Sequence, residues 1–392
     1  MNVKISPSVL CGEVKAPPSK SMAHRLVICA ALSGGECKIS GLADSDDINA
    51  TVSCLKALGA EITDGMVNGK ALFTKADTLN CNESGSTLRF LIPLCLTAGE
   101  DITLVGSERL FSRSLEVYED ICRQNGFKFL QNKDSVTVNG RLKAGRYTVR
   151  GDISSQFISG LMFVLPRLHG DSEIVLTGKM ESVPYIDMTA QAMAVFGVQV
   201  KRQDNVIKIR GNQKYIPTDA TVEGDCSNAA FFAAMDGVSV TGLDKNTLQG
   251  DYIFYDYFEK LKAGKPTLDV GQCPDLAPVL MSVAALNNGA TLINTARLKI
   301  KESDRGYAMA RELEKLGVKA EVYENEIEVG CGIKPPTKAI CSHSDHRIVM
   351  AMAVLLLKTG GVIADAQAVN KSLPDFFERI AVLGAKVSYE AE

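Results

Sequence analysis

The sequence predicts an α/β protein of two similar lobes, each built from three copies of one βαβαββ unit. Two observations support this prediction: six amphipathic helices that end on glycine, and six strongly apolar helices that precede them. The 392 residues are enough for two or three domains, and 46% hydrophobic with 23% charged residues is ordinary for a globular protein. We therefore expect two hydrophobic cores rather than a disordered chain.

The first repeated feature is an amphipathic helix that closes on glycine and leads into a strand. The six glycines, which recur at intervals of 53 to 71 residues, are Gly59, Gly126, Gly197, Gly264, Gly317 and Gly384. Glycine suits the left-handed conformation in which many helices end. Recurrence of this ending at a similar spacing predicts six copies of one unit.

The second repeated feature is a helix that is apolar on most of its faces. Examples are residues 26–32, 157–165 and 349–357. A helix without a polar face is buried, and a β-rich segment such as 102–105 or 173–176 follows it. Each unit is therefore predicted as a strand, a buried helix, a strand, an amphipathic helix and two strands.

The boundary between the lobes is predicted near residues 221–225, between the third and fourth units. The N-terminal lobe then comprises residues 14–223, and the C-terminal lobe comprises residues 1–13 with 224–392. The assignment of residues 1–13 reflects an expectation that the first strand pairs with the second lobe. No low-complexity linker marks the junction, which favours closely coupled lobes.

Composition and charge argue against several functional classes. A net charge of −3 provides no overall basic field for nucleic acid. The 11 cysteines include no C-x-x-C, and the 4 histidines are dispersed, so we expect no metal or cofactor and a reducing compartment. The chain shows no secretory or amphipathic presequence, and its longest apolar run, residues 348–357, is too short to span a bilayer. These features predict a cytoplasmic protein that does not bind membranes, and we expect a monomer.

The starts of the six buried helices combine small polar residues with cations. They are residues 18–21, 83–87, 153–156, 225–228, 273–275 and 344–347. Ser, Asp and Asn are normal helix caps, and capping is the preferred interpretation of Ser227 and Asn228. Capping does not explain Lys20, Arg25 and Arg347, because a cation opposes the positive end of the helix dipole. Free N–H groups, hydroxyls and a cation together predict a site for a phosphate-bearing anion.

Two acidic residues lie among further cations in the second half of the chain. Asp275 begins a buried helix, and Glu302 lies between Lys301 and Arg305, while Lys371 precedes the last helix. An acid and a base within one basic site can move protons to and from a reacting carbon or hydroxyl. Structural alternatives stay open, since Asp275 could cap its helix and Glu302 could pair with a neighbouring cation.

Eight motifs in chain order carry a resemblance to a known family. They are residues 18–21 with Arg25, 84–87 with Arg89, 154–156, 184–187, 223–225, 301–305, 345–347 and 371–375. Each motif is weak alone, but the ordered set resembles the bacterial EPSP synthases of the shikimate pathway over nearly the whole chain. The resemblance implies an enolpyruvyl transferase-like inside-out α/β barrel fold, with the substrates bound between the two lobes.

The resemblance also implies an activity on the route to chorismate and the aromatic amino acids. The enolpyruvyl group of phosphoenolpyruvate would pass to the 5-hydroxyl of shikimate 3-phosphate, with release of phosphate. By matching position, shikimate 3-phosphate would contact Lys20, Ser21, Arg25, Ser154, Ser155, Gln156, Ser182, Tyr185, Asp275 and Lys301. Phosphoenolpyruvate would contact Lys20, Gly85, Arg113, Gln156, Arg305, Arg347 and Lys371. The implied catalytic residues are Asp275, Glu302 and Lys20.

Three departures from the family pattern lie in or near these motifs, one of them being Met22 with His24 in the first motif. Glu83 stands where the family usually has Asn, and Arg297 stands where many members have Asn at the shikimate site. A carboxylate close to a bound anion weakens its binding unless a cation pairs with it. We expect these changes to affect substrate affinity more than reaction type.

Three alternative functions fit related folds. Transferases acting on UDP-N-acetylglucosamine carry a reactive cysteine in the loop that corresponds to residues 108–114, which contain none here. An RNA 3′-terminal phosphate cyclase would need an adenylation nucleophile and a nucleic-acid surface. A non-catalytic ligand-binding relative should have lost Asp275, Glu302 or Lys20, and all three are present.

Overall fold

The computed structural model describes residues 1–72 and 77–390. In this part of the chain the α-helices are α1 (Lys20–Leu32), α2 (Asp46–Ala57), α3 (Gly85–Cys95), α4 (Glu108–Phe111), α5 (Glu116–Asn125), α6 (Ser155–Val164), α7 (Val183–Val195), α8 (Cys226–Ala233), α9 (Phe254–Ala263), α10 (Ala277–Leu286), α11 (Arg305–Lys315), α12 (His346–Thr359) and α13 (Phe376–Val382). Short 3-10 helices cover Leu165–Arg167, Gly250–Ile253, Pro274–Leu276, Ala296–Ile300 and Ala366–Lys371. 

The strands of the same residues are short, and buried and exposed side chains alternate along strands such as Asn2–Ser6 and Arg146–Arg150. They are β1 (Asn2–Ser6), β2 (Gly12–Lys15), β3 (Glu36–Ser40), β4 (Glu61–Thr63), β5 (Met66–Asn68), β6 (Thr78–Asn80), β7 (Ile102–Val105), β8 (Lys128–Gln131), β9 (Ser135–Asn139), β10 (Arg146–Arg150), β11 (Ser172–Thr177), β12 (Val200–Gln203), β13 (Val206–Ile209), β14 (Ala220–Thr221), β15 (Val238–Thr241), β16 (Thr267–Asp269), β17 (Ala290–Ile293), β18 (Ala320–Val322), β19 (Glu326–Val329), β20 (Ile340–Cys341), β21 (Gly361–Ala364) and β22 (Lys386–Glu390).

The chain divides into two compact units. The N-terminal unit is Pro18–Glu223, and the C-terminal unit is Met1–Pro17 with Gly224–Glu392. The N-terminal segment that belongs to the C-terminal unit ends at Pro17 rather than at residue 13. The reason is that β2 pairs in parallel with β15 of the C-terminal unit. Each unit has its own hydrophobic core.

The N-terminal unit contains three four-stranded sheets with one strand order. The orders are β14-β3-β5-β4, β6-β7-β9-β8 and β10-β11-β13-β12. In each sheet the first two strands are parallel and the remaining pairs are antiparallel. The second and third sheets follow the predicted βαβαββ order. The first sheet takes β14 from the end of the unit as its edge strand, because the strand ahead of α1 pairs elsewhere.

The C-terminal unit uses the same pattern less regularly. The sheet β16-β17-β19-β18 is built from four strands that are consecutive in the chain. The sheet β20-β21-β1-β22 instead takes one inner strand from the start of the chain. The fourth copy contributes only β15, paired with β2, so the prediction of two closing strands is wrong there. The reason is chain length, since β16 begins almost directly after Gly264. Gly264 is extended, with φ of 175°, whereas Gly126 ends its helix in the predicted left-handed conformation.

The buried helices confirm the prediction of two apolar cores. Residues 22–32 of α1 and residues 346–357 of α12 are all buried. Burial of one large aliphatic or aromatic side chain contributes roughly 1.5–3 kcal/mol, so these helices supply much of the stability of each unit. Among the described helices, none has both the length and the apolarity needed to cross a membrane.

Candidate active site

The start of α1 combines a cation, a hydroxyl and the backbone amides of a first helical turn. Ser19 caps the helix, because its hydroxyl accepts a hydrogen bond from the N–H of Met22. Lys20 Nζ donates to Asp47 Oδ2 at 2.8 Å, and both side chains keep some exposure, at 13% and 14%. Ser21 follows in the first turn, where amide groups lack intrahelical partners. The phosphate cradle that the sequence predicts from these groups stays a prediction.

Arg25 lies buried one turn further along α1. Its guanidinium donates to Thr189 Oγ1 at 2.8 Å, to the carbonyl of Ser21 at 2.5 Å and to the carbonyl of Tyr185 at 3.0 Å. It also lies over the ring of Phe90, 5.2 Å from the ring centroid. Burial lowers the pKa of Arg25 to about 10. Since these partners are neutral, the guanidinium keeps a positive charge that none of them balances.

The start of α6 is linked to the start of α3 by a side-chain amide. Ser154 caps α6 through a hydrogen bond from the Gln156 N–H, and Ser155 is the first helical residue. Gln156 Oε1 accepts from Arg89 at 2.8 Å, and its Nε2 donates to Ser86 Oγ at 2.9 Å. These bonds fix the orientation of the Gln156 amide, which the sequence assigned to both substrates.

The start of α7 reaches Arg25 through its backbone. Ser182 is buried just before the helix in the left-handed region, with φ of 55°, and Tyr185 is half-buried. The Tyr185 carbonyl accepts from Arg25, as described above, and also from Thr189 Oγ1 at 2.9 Å. Thr189 in turn bonds Ser159 on α6 at 2.7 Å. A hydrogen-bonded network therefore joins α1, α6 and α7 within the N-terminal unit.

Arg113 packs directly on Gly85, the first residue of α3. A Cβ atom added to Gly85 would lie 2.6 Å from an Arg113 guanidinium nitrogen, so a larger residue there would displace the end of the Arg113 side chain. Arg113 Nε is buried, and no hydrogen-bond partner for it exists among the described residues. A buried donor without a partner costs free energy. The guanidinium therefore lies against the start of α3, and its predicted contact with phosphoenolpyruvate stays a prediction.

Glu83 lies next to the cap residue of the same helix, Ser84. It is half-buried and lines an open polar depression with Asn80, Asn82 and Asp134. The effect of this carboxylate on phosphoenolpyruvate affinity stays a prediction.

Asp275 is the hub of a charged cluster in the C-terminal unit. Its Oδ1 accepts from Lys301 at 3.2 Å and from Arg305 at 2.7 Å, while its Oδ2 accepts from Arg347 at 3.0 Å. Burial alone raises the pKa of Asp275, but the three cations outweigh burial and hold that pKa well below its usual range. The carboxylate is therefore ionised at neutral pH. It caps no helix, so the capping alternative for Asp275 is wrong.

Arg305 joins three carboxylates at the start of α11. Besides Asp275, it donates to Glu302 Oε2 at 2.5 Å and to Asp345 Oδ2 at 2.9 Å. Burial opposes its charge, but the carboxylates of Asp345, Glu302 and Asp275 raise the pKa of Arg305 above its usual value. Asp345 also caps α12 by accepting from the Arg347 N–H at 2.9 Å. Glu302 thus is an ion-pair partner of Arg305, in keeping with the structural alternative, and it lies within the same cluster as Asp275.

Lys301 belongs to this cluster, and Arg297 and Lys371 lie at its border. Lys301 has a lowered pKa because of burial, with Arg305 and Arg297 adding to the effect and Asp275 opposing it. Arg297 is itself 8% exposed, so its departure from the family pattern adds positive charge close to Lys301. Lys371 Nζ donates to the carbonyl of Ser344 at 2.7 Å, just ahead of α12.

Comparison with known proteins assigns the family. The sequence model of EPSP synthase (3-phosphoshikimate 1-carboxyvinyltransferase) matches residues 5–267 and 258–380. The chain belongs to the EPSP synthase family. Curated relatives named 3-phosphoshikimate 1-carboxyvinyltransferase, from Clostridium kluyveri and Clostridioides difficile, are 42% and 38% identical, with 98% of both chains covered in each case. Membership of the EPSP synthase family makes the chain a transferase and confirms the resemblance found in its motifs.

Solved structures confirm the EPSP synthase fold independently. An EPSP synthase from Acinetobacter baumannii has a TM-score of 0.79 at 23% identity, covering 99% of this chain and 100% of that one. An enolpyruvyl transferase from Streptomyces tendae has a TM-score of 0.77 at 16% identity, covering 99% and 98%. The predicted enolpyruvyl transferase-like class is therefore confirmed.

The fourth buried helix corrects one sequence interpretation within this EPSP synthase fold. The cap of α8 is Asp225, which accepts from the Asn228 N–H at 2.7 Å, so capping by Ser227 or Asn228 is wrong. Ser227 instead donates to Asp251. Burial, followed by the nearby charge of Asp275, raises the pKa of Asp251 to about 6.

Sequence reasoning missed three acidic residues that organise the assigned cations. Asp47 bonds Lys20, and Asp345 bonds Arg305, although the sequence placed Asp345 only in a motif. Asp251, whose pKa is raised by burial and by the charge of Asp275, belongs to no motif. The signals were weak, because Asp47 lies in the first turn of α2, where acidic residues are common for electrostatic reasons alone. Among the described residues, no cluster of three His, Cys, Asp or Glu side chains could hold a metal ion.

Proposed function

We propose that the chain transfers the enolpyruvyl (carboxyvinyl) group of phosphoenolpyruvate to the 5-hydroxyl of shikimate 3-phosphate. The products are 5-enolpyruvylshikimate 3-phosphate and phosphate. The observation that carries the proposal is the ionised Asp275 carboxylate among Lys301, Arg305 and Arg347, in a chain 42% identical to a curated 3-phosphoshikimate 1-carboxyvinyltransferase.

The proposed chemistry needs an acid and a base at two stages. A proton adds to the methylene carbon of phosphoenolpyruvate, and C2 becomes open to attack by the 5-hydroxyl, which loses its own proton. The tetrahedral adduct then loses phosphate from C2 and a proton from the new methyl group, which restores the double bond. Proton transfer by positioned side chains contributes typically about 10²–10⁴-fold to such rates.

The proton-transfer roles go to Asp275, Glu302 and Lys20. Asp275 is ionised at neutral pH and can accept the proton of the 5-hydroxyl, and bound anions that share its three cations would raise its low pKa toward the range that suits a base. Glu302 shares Arg305 with Asp275 and would serve the methylene carbon. Lys20, partly exposed at the start of α1, would donate toward the leaving phosphate.

The two anions are assigned to residues by the charges around them. Arg25 keeps an uncompensated charge that suits the phosphate of shikimate 3-phosphate. The remaining proposed contacts of this substrate are Lys20, Ser21, Ser154, Ser155, Gln156, Ser182, Tyr185, Asp275 and Lys301. Arg113 on Gly85 suits phosphoenolpyruvate. Its other proposed contacts are Lys20, Gln156, Arg305, Arg347 and Lys371.

The decisive experiment measures phosphate release by the purified protein. We expect release when phosphoenolpyruvate and shikimate 3-phosphate are both present, and none with either alone. UDP-N-acetylglucosamine replaces shikimate 3-phosphate in a parallel sample. Release only with that acceptor would contradict the proposal, and absence of release with both acceptors would indicate a binding protein. The cytoplasmic location and the monomeric state stay predictions.

A further inference from the structure

The turn that leads into α12 has an unusual backbone. His343 and Ser344 both lie in the left-handed region, with φ of 50° and 52°. Two consecutive non-glycine residues rarely adopt this conformation, which is strained and persists only where the surroundings impose it. Something outside the turn must therefore hold it.

Glu312 holds the turn from the next helix. It lies on α11 two turns beyond Arg305, with an exposure of 1%. Its Oε1 pairs with His343 Nε2 at 2.8 Å, and its Oε2 accepts from Lys315 Nζ at 2.7 Å and from the Cys341 N–H at 2.9 Å. Burial raises the pKa of Glu312, but these hydrogen bonds outweigh burial and lower it. The buried carboxylate is thus ionised and bonded on both oxygens.

The opposite side of the turn faces the charged cluster. The carbonyl of Ser344 accepts from Lys371, and the next residue, Asp345, receives Arg305 and caps α12. A rotation of the Ser344 peptide would move both the carbonyl bound to Lys371 and the backbone that carries Asp345. The Glu312–His343 contact therefore lies one peptide away from groups assigned to phosphoenolpyruvate.

We propose that Glu312 and His343 are positioning residues for the phosphoenolpyruvate side of the reaction. They hold the turn of residues 342–344 so that Lys371 and Arg305 keep their places. The role of Lys371 and Arg305 in this inference rests on the proposed function. Neither Glu312 nor His343 contacts a reacting atom in this mechanism. Their effect is on binding geometry.

The first test is Glu312→Gln, which keeps the shape of the side chain but removes its charge. We expect the KM for phosphoenolpyruvate to rise about tenfold, with the KM for shikimate 3-phosphate within about twofold, because the strained turn lies beside Lys371 and loses its anionic partner. Glu314→Gln is the control, since Glu314 is exposed on the same helix. Equal increases in both KM values, or no increase in either, would overturn the proposal.

A second variant covers the case in which Glu312→Gln does not fold. His343→Asn removes the imidazole from a partly exposed position and retains a residue that tolerates the left-handed conformation. We expect the same selective rise in the KM for phosphoenolpyruvate. In the double variant the two effects should be non-additive, because the residues act through one contact. Full additivity would contradict a shared role.

Hydrogen exchange tests the turn without relying on activity. The amides of residues 344–347 should exchange at least about tenfold faster in either variant than in wild type, whereas those of α6 should not change. Unchanged exchange at the turn would overturn the positioning role even if turnover falls. If the variants exchange faster but the wild-type protein releases no phosphate, the anchoring of the turn by Glu312 and His343 would stand. The proposed transferase function would then be wrong.

Discussion

The two units treat their buried cations differently. In the N-terminal unit, Arg25 is held by hydroxyl and carbonyl oxygens, so none of these partners balances its charge. In the C-terminal unit, Arg305 is shared among Asp275, Glu302 and Asp345, so its charge is largely balanced before any ligand binds. The first arrangement suits the recognition of an anion. The second suits the control of protons, because cations around a carboxylate set its pKa.

The largest expected effect tests the second arrangement. Asp275→Ala should lower kcat for phosphate release at least a hundredfold, because the reaction loses its proposed base. Shikimate 3-phosphate should still bind within about tenfold of wild type, as measured by calorimetric titration. Asp256→Ala, on the exposed face of α9, is the control. Wild-type turnover from the Asp275 variant would remove that residue from its role.

The next effect tests whether the cations of the N-terminal unit serve ligands. Arg113→Ala should raise the KM for phosphoenolpyruvate about tenfold to thirtyfold, because the variant lacks the guanidinium that packs on the start of α3. Steady-state kinetics with each substrate varied in turn checks this, with the exposed Arg123→Ala as control. If only the KM for shikimate 3-phosphate rose, the two substrates would have been assigned to the wrong groups of residues.

A third prediction concerns the close packing of α6 against α3 in the N-terminal unit. A Cβ added to Gly160 would come closer than 3.0 Å to both the Tyr118 hydroxyl and the Arg89 carbonyl. Gly160→Ala should therefore lower the free energy of unfolding by about 1–3 kcal/mol. Urea denaturation measures it, and Gly264→Ala is the control, because its added Cβ meets no atom within 4 Å. Equal stability of both variants would mean that α3 and α6 separate easily.

The smallest effect concerns a buried acid of the C-terminal unit. The folded pKa of Asp251, about 6, lies above its usual 3.8, so folding disfavours the ionised form. The resulting destabilisation is absent below pH 4, grows between pH 4 and 6, and is complete above pH 6. Relative to wild type, Asp251→Asn should therefore gain of the order of 1–3 kcal/mol in unfolding free energy between pH 4 and 7. Denaturation at several pH values, with Asp256→Asn as control, measures this gain; a constant difference across the range would argue against a raised pKa.

Periodicity and motif order predicted most of the fold, while the members of the site stay a prediction. The apolar helices and their glycine endings predicted repeated units, because burial requires a continuous apolar surface. The lack of two closing strands in the fourth copy could not be predicted in this way, since its two helices show the same pattern with or without those strands. The capping of α8 by Asp225 was also missed, because Asp, Ser and Asn at neighbouring positions are equally good caps.

The sequence by itself determined the α/β class, the repeated units and the family. These follow from local pattern, because helix burial and motif order are properties of nearby residues. Only the tertiary structure decided which charges balance one another. Asp275 lies 26 residues from Lys301 and 72 from Arg347 along the chain, and Glu312 lies 31 from His343. Electrostatic energies depend on distances in space rather than along the chain, so the low pKa of Asp275 and the anchored turn before α12 emerged only from the fold.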